Sequence, residues 1–364
     1  MKIFYDHYAF SYLRFGGISK YICELMKNMP RESWYSSTLI SNNQYLQEAR
    51  LMKTVKFFPN LNFRGKERLM TELNMPYTKH KLRTTEWDVF HATWFADRYL
   101  NSIKKKTLVV TIHDLIYDVF YKKGDVPHRE KIIEMGRSSA ERADKVIAVS
   151  ECTKQDMINI WNINESKIEV IHHGVDKDKK PISSTRLIEQ PYIFFAGGAR
   201  GKNKNFEHLI EAFSIISDKY KDLRLVCSGT SFRENEIQEL KRLKIYDKTI
   251  QLYASGTQMA QLYNDAEMCI VPSFYEGFGF PVLEAMVYDC PVILSNSSCL
   301  PEVAKEAGLY FDPYDAEELS DKISLLLDDE ALREKQKRLC AQRLDFFSWE
   351  KCAENHLKLY KSLI

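Results

Sequence analysis

Residues 268–286 read MCIVPSFYEGFGFPVLEAM, and this stretch decides the fold. MCIV is a short, continuously apolar run bounded by Pro272 and Ser273, the pattern of a strand buried on both faces. Gly277 and Gly279 follow, residues that let backbone N–H groups approach a ligand closely. Pro281 suits the first position of a helix, where its missing N–H would be unpaired anyway. A strand that runs through a glycine turn into a helix presents free amides and the positive end of a helix dipole, which favours a phosphate. Glu276 precedes the glycines, and Glu284 is expected in the first helical turn. Two carboxylates flanking a phosphate-binding turn repel a bare diphosphate, so they make most sense as acceptors for the hydroxyls of a ribose or hexose. Read alone, the fragment also fits a tight turn followed by a glutamate that only stabilises the helix dipole.

Outward from this stretch the same alternation continues. YIFFAG (192–197), LRLVCSG (223–229), TIQLY (249–253) and PVILS (291–295) are strand-like, with helical patterns such as FEHLIEAFSII (206–216) and TQMAQLYNDA (257–266) between them. The first half repeats it with KIFY (2–5), SKYICELMKNM (19–29), TLVVTIHD (107–114), KVIAVS (145–150) and ECTKQDMINIW (151–161). Strand-helix alternation of this kind builds parallel sheets, whose ligands bind beyond the carboxyl ends of the strands. The polar segment DKDKKPISS (176–184) interrupts it and reads as a linker, and 364 residues suit two domains rather than one.

Composition excludes several classes. Hydrophobic residues at 45% and charged residues at 28% are those of a packed globular protein. The eight cysteines form no Cys-x-x-Cys pair, several lie in apolar runs, and a reducing compartment is expected. MKIFYDHY carries no apolar signal region, and no run approaches the ~18 apolar residues of a membrane span, so a cytoplasmic protein is expected. There is no Walker sequence and no Gly-x-Gly-x-x-Gly after a strand. The sole Asp-x-Asp, Asp176 to Asp178, lies among Lys177, Lys179 and Lys180, which would compete with a metal ion.

Net charge is +2, but the first 180 residues hold 30 Lys and Arg against 22 Asp and Glu, and the remainder is acidic. That asymmetry and a pI near 8.0 speak against nucleic acid. Between Arg50 and Arg83 nine basic residues (Arg50, Lys53, Lys56, Arg64, Lys66, Arg68, Lys79, Lys81, Arg83) are interleaved with apolar ones such as Phe57, Phe58 and Leu61. The mixture suits an anionic membrane surface or acceptor. A solvated helix face explains it equally well, because Glu67 and Glu72 interrupt the run.

The Glu-x7-Glu spacing of Glu276 and Glu284 and the following PVILSNSSCLPEVAKEAGLYFDPYDAEEL resemble the retaining glycosyltransferase family 4, in particular bacterial mannosyltransferases of polysaccharide assembly. Further pieces match in the family's order: FGGISKYICEL (15–25), TIHDL (111–115), KVIAVSECTKQDM (145–157), VIHHGVD (170–176), Lys204-Asn205 before a helix, and FSWEKCA (347–353). Gly198 departs from the family, which often has Arg there, and Asp289 stands where glycine is common.

The resemblance implies an α/β GT-B fold: two Rossmann-like domains whose parallel sheets face a central cleft. The N-terminal acceptor domain would span 1–180, the nucleotide-sugar domain 181–346, and a helix at 347–364 would pack back on the first domain. Glu276 would contact the donor sugar and Glu284 the ribose, with the amides of Phe278, Gly279 and Phe280 on the sugar and diphosphate. AGGARGKNKN (196–205) supplies cations between a strand and a helix, which can neutralise a diphosphate leaving group, with Lys204 first, Arg200 second and Lys202 third. Gly16 and Gly17 match the family's glycine pair for phosphate or acceptor. His113 matches a histidine near the reacting sugar and would hydrogen-bond rather than attack. His172 and His173 read as surface or interdomain residues, and Ser150 with Thr153 as a helix N-cap.

The expected activity is retaining transfer of a hexose, mannose from GDP-mannose, to a glycan or lipid-linked glycan such as a lipopolysaccharide precursor. Neither metal nor cofactor is expected, and the location would be cytoplasmic with peripheral contact at the inner face of the plasma membrane. The alternatives are a GT-B sugar-nucleotide epimerase and a non-catalytic sugar-nucleotide-binding protein.

Overall fold

The computed structural model describes residues 1–103, 106–178, 183, 185–198, 200–254 and 256–364. It divides into two compact units, Met1–Gly174 with Trp349–Ile364 and Val175–Ser348. The divisions therefore fall at 174/175 and 348/349, where the sequence reading placed them at 180/181 and 346/347. Residues 179–182 and 184 of the expected linker lie outside the described residues.

The first unit holds strands β1 (Ile3–Tyr5), β2 (Trp34–Ser36), β3 (Val89–Ala92), β4 (Thr107–Ile112), β5 (Lys145–Ala148) and β6 (Ile168–Val170). The second holds β7 (Tyr192–Gly198), β8 (Arg224–Gly229), β9 (Thr249–Leu252), β10 (Met268–Val271), β11 (Val292–Ser295) and β12 (Gly308–Phe311). Each set forms one six-stranded parallel sheet, ordered β2-β1-β3-β4-β5-β6 and β12-β11-β10-β7-β8-β9. In the second sheet the order reverses between β7 and β10, which pair through Ile193 with Met268 and Phe194 with Cys269. Such a reversal opens a crevice beyond the carboxyl ends of the two strands, and that crevice positions ligands.

Central strands are apolar throughout because both faces are covered: all four residues of β10 and of β11 are buried. The helix Phe206–Ile216 buries Leu209, Ile210, Phe213 and Ile216, at helical spacing, against this sheet's core. Gly198 ends β7 at φ +52°, and a Cβ on Gly229 at the end of β8 would lie 2.0 Å from the Gly198 carbonyl oxygen. The close approach of these strand ends thus requires glycine at 229, while Gly198 takes the left-handed conformation with open space where its Cβ would be.

The helix Trp349–Lys361 completes the first unit by burying Trp349, Cys352, His356 and Tyr360. A polar chain joins it to the sheet. His356 Nδ1 lies 2.7 Å from the Cys352 carbonyl, which can only accept, so Nδ1 carries the proton and Nε2 accepts from the Tyr21 hydroxyl at 2.6 Å. Thr111 Oγ1 links Tyr21 (2.9 Å) to His91 Nε2 (2.9 Å), and the Tyr360 hydroxyl reaches His91 Nδ1 at 2.6 Å. One direction of donation satisfies every member. Burial lowers His91 well below its ordinary range and His356 to about 4, so both imidazoles are neutral.

Candidate active site

At the sheet reversal, residues 272–279 run from β10 to the helix Phe280–Val287. Ser273 Oγ donates to Glu276 Oε1 at 2.6 Å, and Lys204 Nζ lies 2.6 Å from the same oxygen. The Glu276 N–H donates to Ser298 Oγ at 3.0 Å, which ties the turn to the end of β11. Lys204 comes from the short turn Lys202–Lys204 after β7. That turn is fastened to the β10 loop by the Phe274 N–H on the Asn203 carbonyl (2.8 Å) and by Asn203 Nδ2 on the Tyr275 carbonyl (3.3 Å). Asn205, at φ +54°, adds Nδ2 bonds to the Pro272 and Pro313 carbonyls at 2.9 and 2.7 Å. Two strand ends thus become one rigid floor, with a lysine-gripped carboxylate on it. Lys202 is exposed on the same turn.

Gly279 caps the helix at φ +86°, and a Cβ there would come within 2.9 Å of Leu300 Cδ2. Phe278 is buried, with Phe280 and Phe347 rings at 5.4 and 5.9 Å. Pro281 is the second helical residue rather than the first. Glu284 is the fifth, beyond the first turn where it was expected, so stabilising the helix dipole does not explain it. The buried Tyr263 hydroxyl donates to Glu284 Oε2 at 3.2 Å. Burial, and then the charge of Glu284, pushes the Tyr263 phenol well above its usual range and keeps it a donor.

Arg200 takes a different place from the one its sequence context suggested. Its Nε and Nη2 each lie 3.2 Å from the Glu236 carboxylate, Nη2 also donates to the Ser231 carbonyl at 2.7 Å, and the residue is 3% exposed. The Phe232 ring lies 4.8 Å from the guanidinium. Arg200 is therefore committed inside the unit, pinning the segment after β8 to the segment after β7.

In the first unit, Gly16 caps the helix Gly17–Lys27 at φ +139°, with nothing within 4 Å of where its Cβ would be. His113 follows β4, partly exposed, stacked on His173 at 5.5 Å and against the edge of Tyr21 at 5.3 Å. Burial lowers it to about 4, so it is a neutral hydrogen-bonding imidazole. His173 is buried, packed on Tyr21 at 4.7 Å and Trp349 at 6.0 Å within the same unit, rather than on the surface. Ser150 accepts from the Thr153 N–H at 3.1 Å as an N-cap.

Within the basic stretch, Lys66 is 8% exposed and donates to the carbonyls of Phe58 (2.9 Å) and Leu61 (2.7 Å). It latches the loop from inside instead of adding to the surface. Lys53, Lys56, Arg64 and Arg68 are exposed, as are Val55, Phe58, Leu61, Leu69 and Leu73, while Glu72 is engaged by Arg98 at 2.8 Å.

Ser273, Ser298, Asn203 and Tyr263 were not singled out by sequence reasoning. Ser273 sat inside the decisive stretch, three residues before Glu276, which was the available signal. Among the described residues, no helix is long and apolar enough to cross a membrane, and no group of three His, Cys, Asp or Glu side chains could hold a metal ion.

Two parallel-sheet units, with a lysine-held carboxylate and a glycine-capped helix at the sheet reversal of the second, have the architecture of a GT-B glycosyltransferase. The family model for glycosyl transferases group 1 matches residues 176–342, and that for Glycosyltransferase Family 4 matches residues 15–179. The chain belongs to the family 4 type of glycosyltransferase. It is 30% identical over 248 residues to the O-antigen chain mannosyltransferase RfbU of Salmonella typhimurium, covering 65% of this chain and 69% of that one. It is 28% identical over 271 residues to O-antigen chain mannosyltransferase B of Escherichia coli, covering 70% of each. The crystal structure of Anabaena Alr3699/HepE in complex with UDP and glucose superposes with a TM-score of 0.77 at 17% identity, over 100% of both chains.

Proposed function

We propose that this glycosyltransferase moves a hexose with retention of configuration, mannose from GDP-mannose, to a hydroxyl of a glycan or lipid-linked glycan in surface-polysaccharide assembly. One observation carries the reading: Lys204 and Ser273 converge on Glu276 at the sheet reversal, beside a glycine-capped helix start. The names of the two mannosyltransferase relatives support mannose and a polysaccharide acceptor.

In this mechanism Glu276 holds the donor sugar's hydroxyls and Glu284 the ribose. Phe278, Gly279 and Phe280 offer backbone N–H groups to the sugar and diphosphate, and Gly16 with Gly17 leaves room for phosphate or acceptor. Lys204, with Lys202 on the same turn, meets the charge that grows on the diphosphate as the bond from the sugar's C1 breaks. The acceptor oxygen enters from the face the diphosphate leaves and forms the new C1–O bond. Its proton passes to a diphosphate oxygen, and His113, neutral, hydrogen-bonds near the sugar. No metal is needed for this charge balance. Exposed basic and apolar residues at 53–73 support peripheral contact with an anionic cytoplasmic membrane face.

The test is thermal melting against GDP-mannose, UDP-glucose and UDP-N-acetylglucosamine, with release of nucleoside diphosphate followed in the presence of EDTA. GDP-mannose should raise the melting temperature most and be hydrolysed slowly without acceptor. Stabilisation by a UDP-sugar alone overturns the donor, and hydrolysis that requires added magnesium or manganese overturns the charge balance.

A further inference from the structure

We infer that the first unit carries a built pocket for the acceptor, selective for a sugar bearing a small methyl-terminated substituent: an acetamido group or the methyl of a 6-deoxyhexose. The inference rests on the glycan-acceptor reading above and specifies what that acceptor carries.

The pocket is a cavity of about 200 Å³ beyond the carboxyl ends of β3 and β4, the ligand side of a parallel sheet. Its volume is below the roughly 300–1,000 Å³ of sites that enclose drug-sized molecules, so it takes one ring and its substituents rather than an oligosaccharide. Trp94, Phe95, Trp161, Ile132 and Ile133 give it an apolar wall. A hexose can lay the C–H face of its ring on the aromatic side chains, but a hydroxyl turned towards Ile132 and Ile133 finds no partner there. A methyl group fits there without that cost.

Behind the wall, the helix Arg129–Arg142 carries Gly136 in its middle, a residue that disfavours helix. The reason lies in the pocket. A Cβ at this position would stand 3.0 Å from Trp161 Cη2 and 3.2 Å from Phe95 Cε1, so glycine is what lets both rings lie back and leave the cavity open. Trp161 is further fixed by its indole N–H on Asp118 Oδ1 at 3.0 Å.

The rest of the lining decides the class of ligand. Asp114 and Asp118 line the cavity with Thr111, Tyr117 and the partly exposed His113; Asp114 Oδ1 also takes the Ile116 N–H at 3.1 Å and Asp118 Oδ1 the Trp161 indole, so their charge is fixed in the wall. Carboxylates accept hydrogen bonds from sugar hydroxyls and repel phosphate, so the ligand is a neutral saccharide rather than a lipid phosphate. Polyol on one side and methyl on the other describes an acetamido or 6-deoxy sugar.

Matched pairs test this on the full chain by saturation-transfer NMR: methyl N-acetylglucosaminide against methyl glucoside, and methyl 6-deoxymannoside against methyl mannoside. The methyl-bearing member of at least one pair should bind roughly 10–200-fold tighter, the discrimination one such group gives in an apolar pocket, with saturation strongest at its methyl protons. Whichever pair discriminates names the substituent. Gly136→Ala, which pushes Trp161 and Phe95 inward, and Ile133→Thr, which puts a hydroxyl in the wall, should each lower that affinity about tenfold or more. Their melting temperatures and GDP affinity, read on the same samples, report an intact fold and donor unit. Equal binding within both pairs, no glycoside binding, or unchanged affinity in both variants overturns the inference. Loss of GDP binding by the unaltered chain would instead overturn the donor reading.

Discussion

Lys204 Nζ and Ser273 Oγ both lie 2.6 Å from one oxygen of Glu276. Lysine and glutamate therefore form a coupled pair before any donor is present, and their substitutions should not add. Lys204→Ala should lower kcat by roughly 10²–10³, as losing one oxyanion-type donor does. Glu276→Gln should cost a similar factor, and the double variant markedly less than the product. Steady-state kinetics of the three variants checks this, and strict additivity would show that the pairing has no catalytic meaning.

Glu284 and Glu276 should separate in calorimetry. Glu284→Ala is expected to weaken GDP itself, whereas Glu276→Ala leaves GDP affinity near that of the parent and lowers turnover of the intact donor. Tyr263→Phe removes the bond to Glu284 Oε2 and should cost about 0.5–1.5 kcal/mol of GDP binding. Equal losses of GDP affinity in both glutamate variants would sink the assignment of ribose to one and sugar to the other.

Arg200 should behave as a structural residue. Arg200→Met removes the buried guanidinium from Glu236 and leaves that carboxylate only Arg233, its side chain at 3.4 Å and its backbone N–H at 2.7 Å, a change that costs up to about 3–5 kcal/mol. At roughly 2–4 °C per kcal/mol the second unit should melt up to about 6–20 °C lower, while the folded variant binds GDP nearly as the parent does. Adding Glu236→Leu should restore part of the loss. An unshifted melting temperature with collapsed GDP affinity would make Arg200 a donor ligand.

Acid should destabilise the first unit. His91 and His173 are held well below their ordinary range, and His356 at about 4, chiefly by burial. An unfolded histidine takes its proton near pH 6.5, so below that the unfolded chain binds more protons and stability falls with pH. Each of the three costs about 1.4 kcal/mol one pH unit below 6.5. Asp6, raised to about 6 by burial, works the other way: its folded form is protonated below that value while the unfolded form waits until about 3.9. His7 and His113, lowered to about 3 and about 4, add to the losses, and Asp97 and Asp118, raised by burial, to the gains; the five histidines outweigh the three carboxyls. Urea titrations at pH 7.5 and 5.0 should show a drop of a few kcal/mol, and equal midpoints would contradict the buried neutral state.

Vesicle binding should depend on Lys53, Lys56 and Arg64 but not through Lys66. Each exposed basic residue near an anionic surface contributes about 1 kcal/mol, so reversing the three to glutamate should abolish sedimentation with anionic vesicles. The parent should lose binding between 0.1 and 1 M salt, as the Debye length falls from ~10 to ~3 Å. Lys66→Ala should instead lower stability, because the Phe58 and Leu61 carbonyls lose their donor. A parent protein that ignores anionic vesicles at low salt leaves the patch a solvated face.

The legible parts of this molecule were local in sequence. Strand-helix alternation and the segment around Glu276 and Glu284 declare themselves within twenty residues, because buried parallel strands are unbroken apolar runs and a glycine turn ahead of a helix has few other uses. What stayed hidden depends on residues far apart in the chain. Ser298 reaches Glu276 from the next strand end, Tyr360 meets His91 across 269 positions, and Arg200 finds Glu236 only once the segments after β7 and β8 lie side by side. A cation in a motif and a cation in a core look alike until the partner is known. Lys66 was misplaced for the same reason, since its acceptors are backbone carbonyls that no side-chain pattern announces.

The closing helix has a consequence for biosynthesis. Trp349–Ile364 belongs to the first unit, yet the ribosome delivers it only after all of Val175–Ser348. At about 5–20 residues per second, the polar ends of Tyr21, His91 and Thr111 wait, once Gly174 has been made, on the order of a further ten to thirty-five seconds for His356 and Tyr360. Through that interval the second unit can fold on its own, and the first exists as a sheet with its polar chain half assembled. The unit whose strands are made first is thus completed after the unit inserted within it.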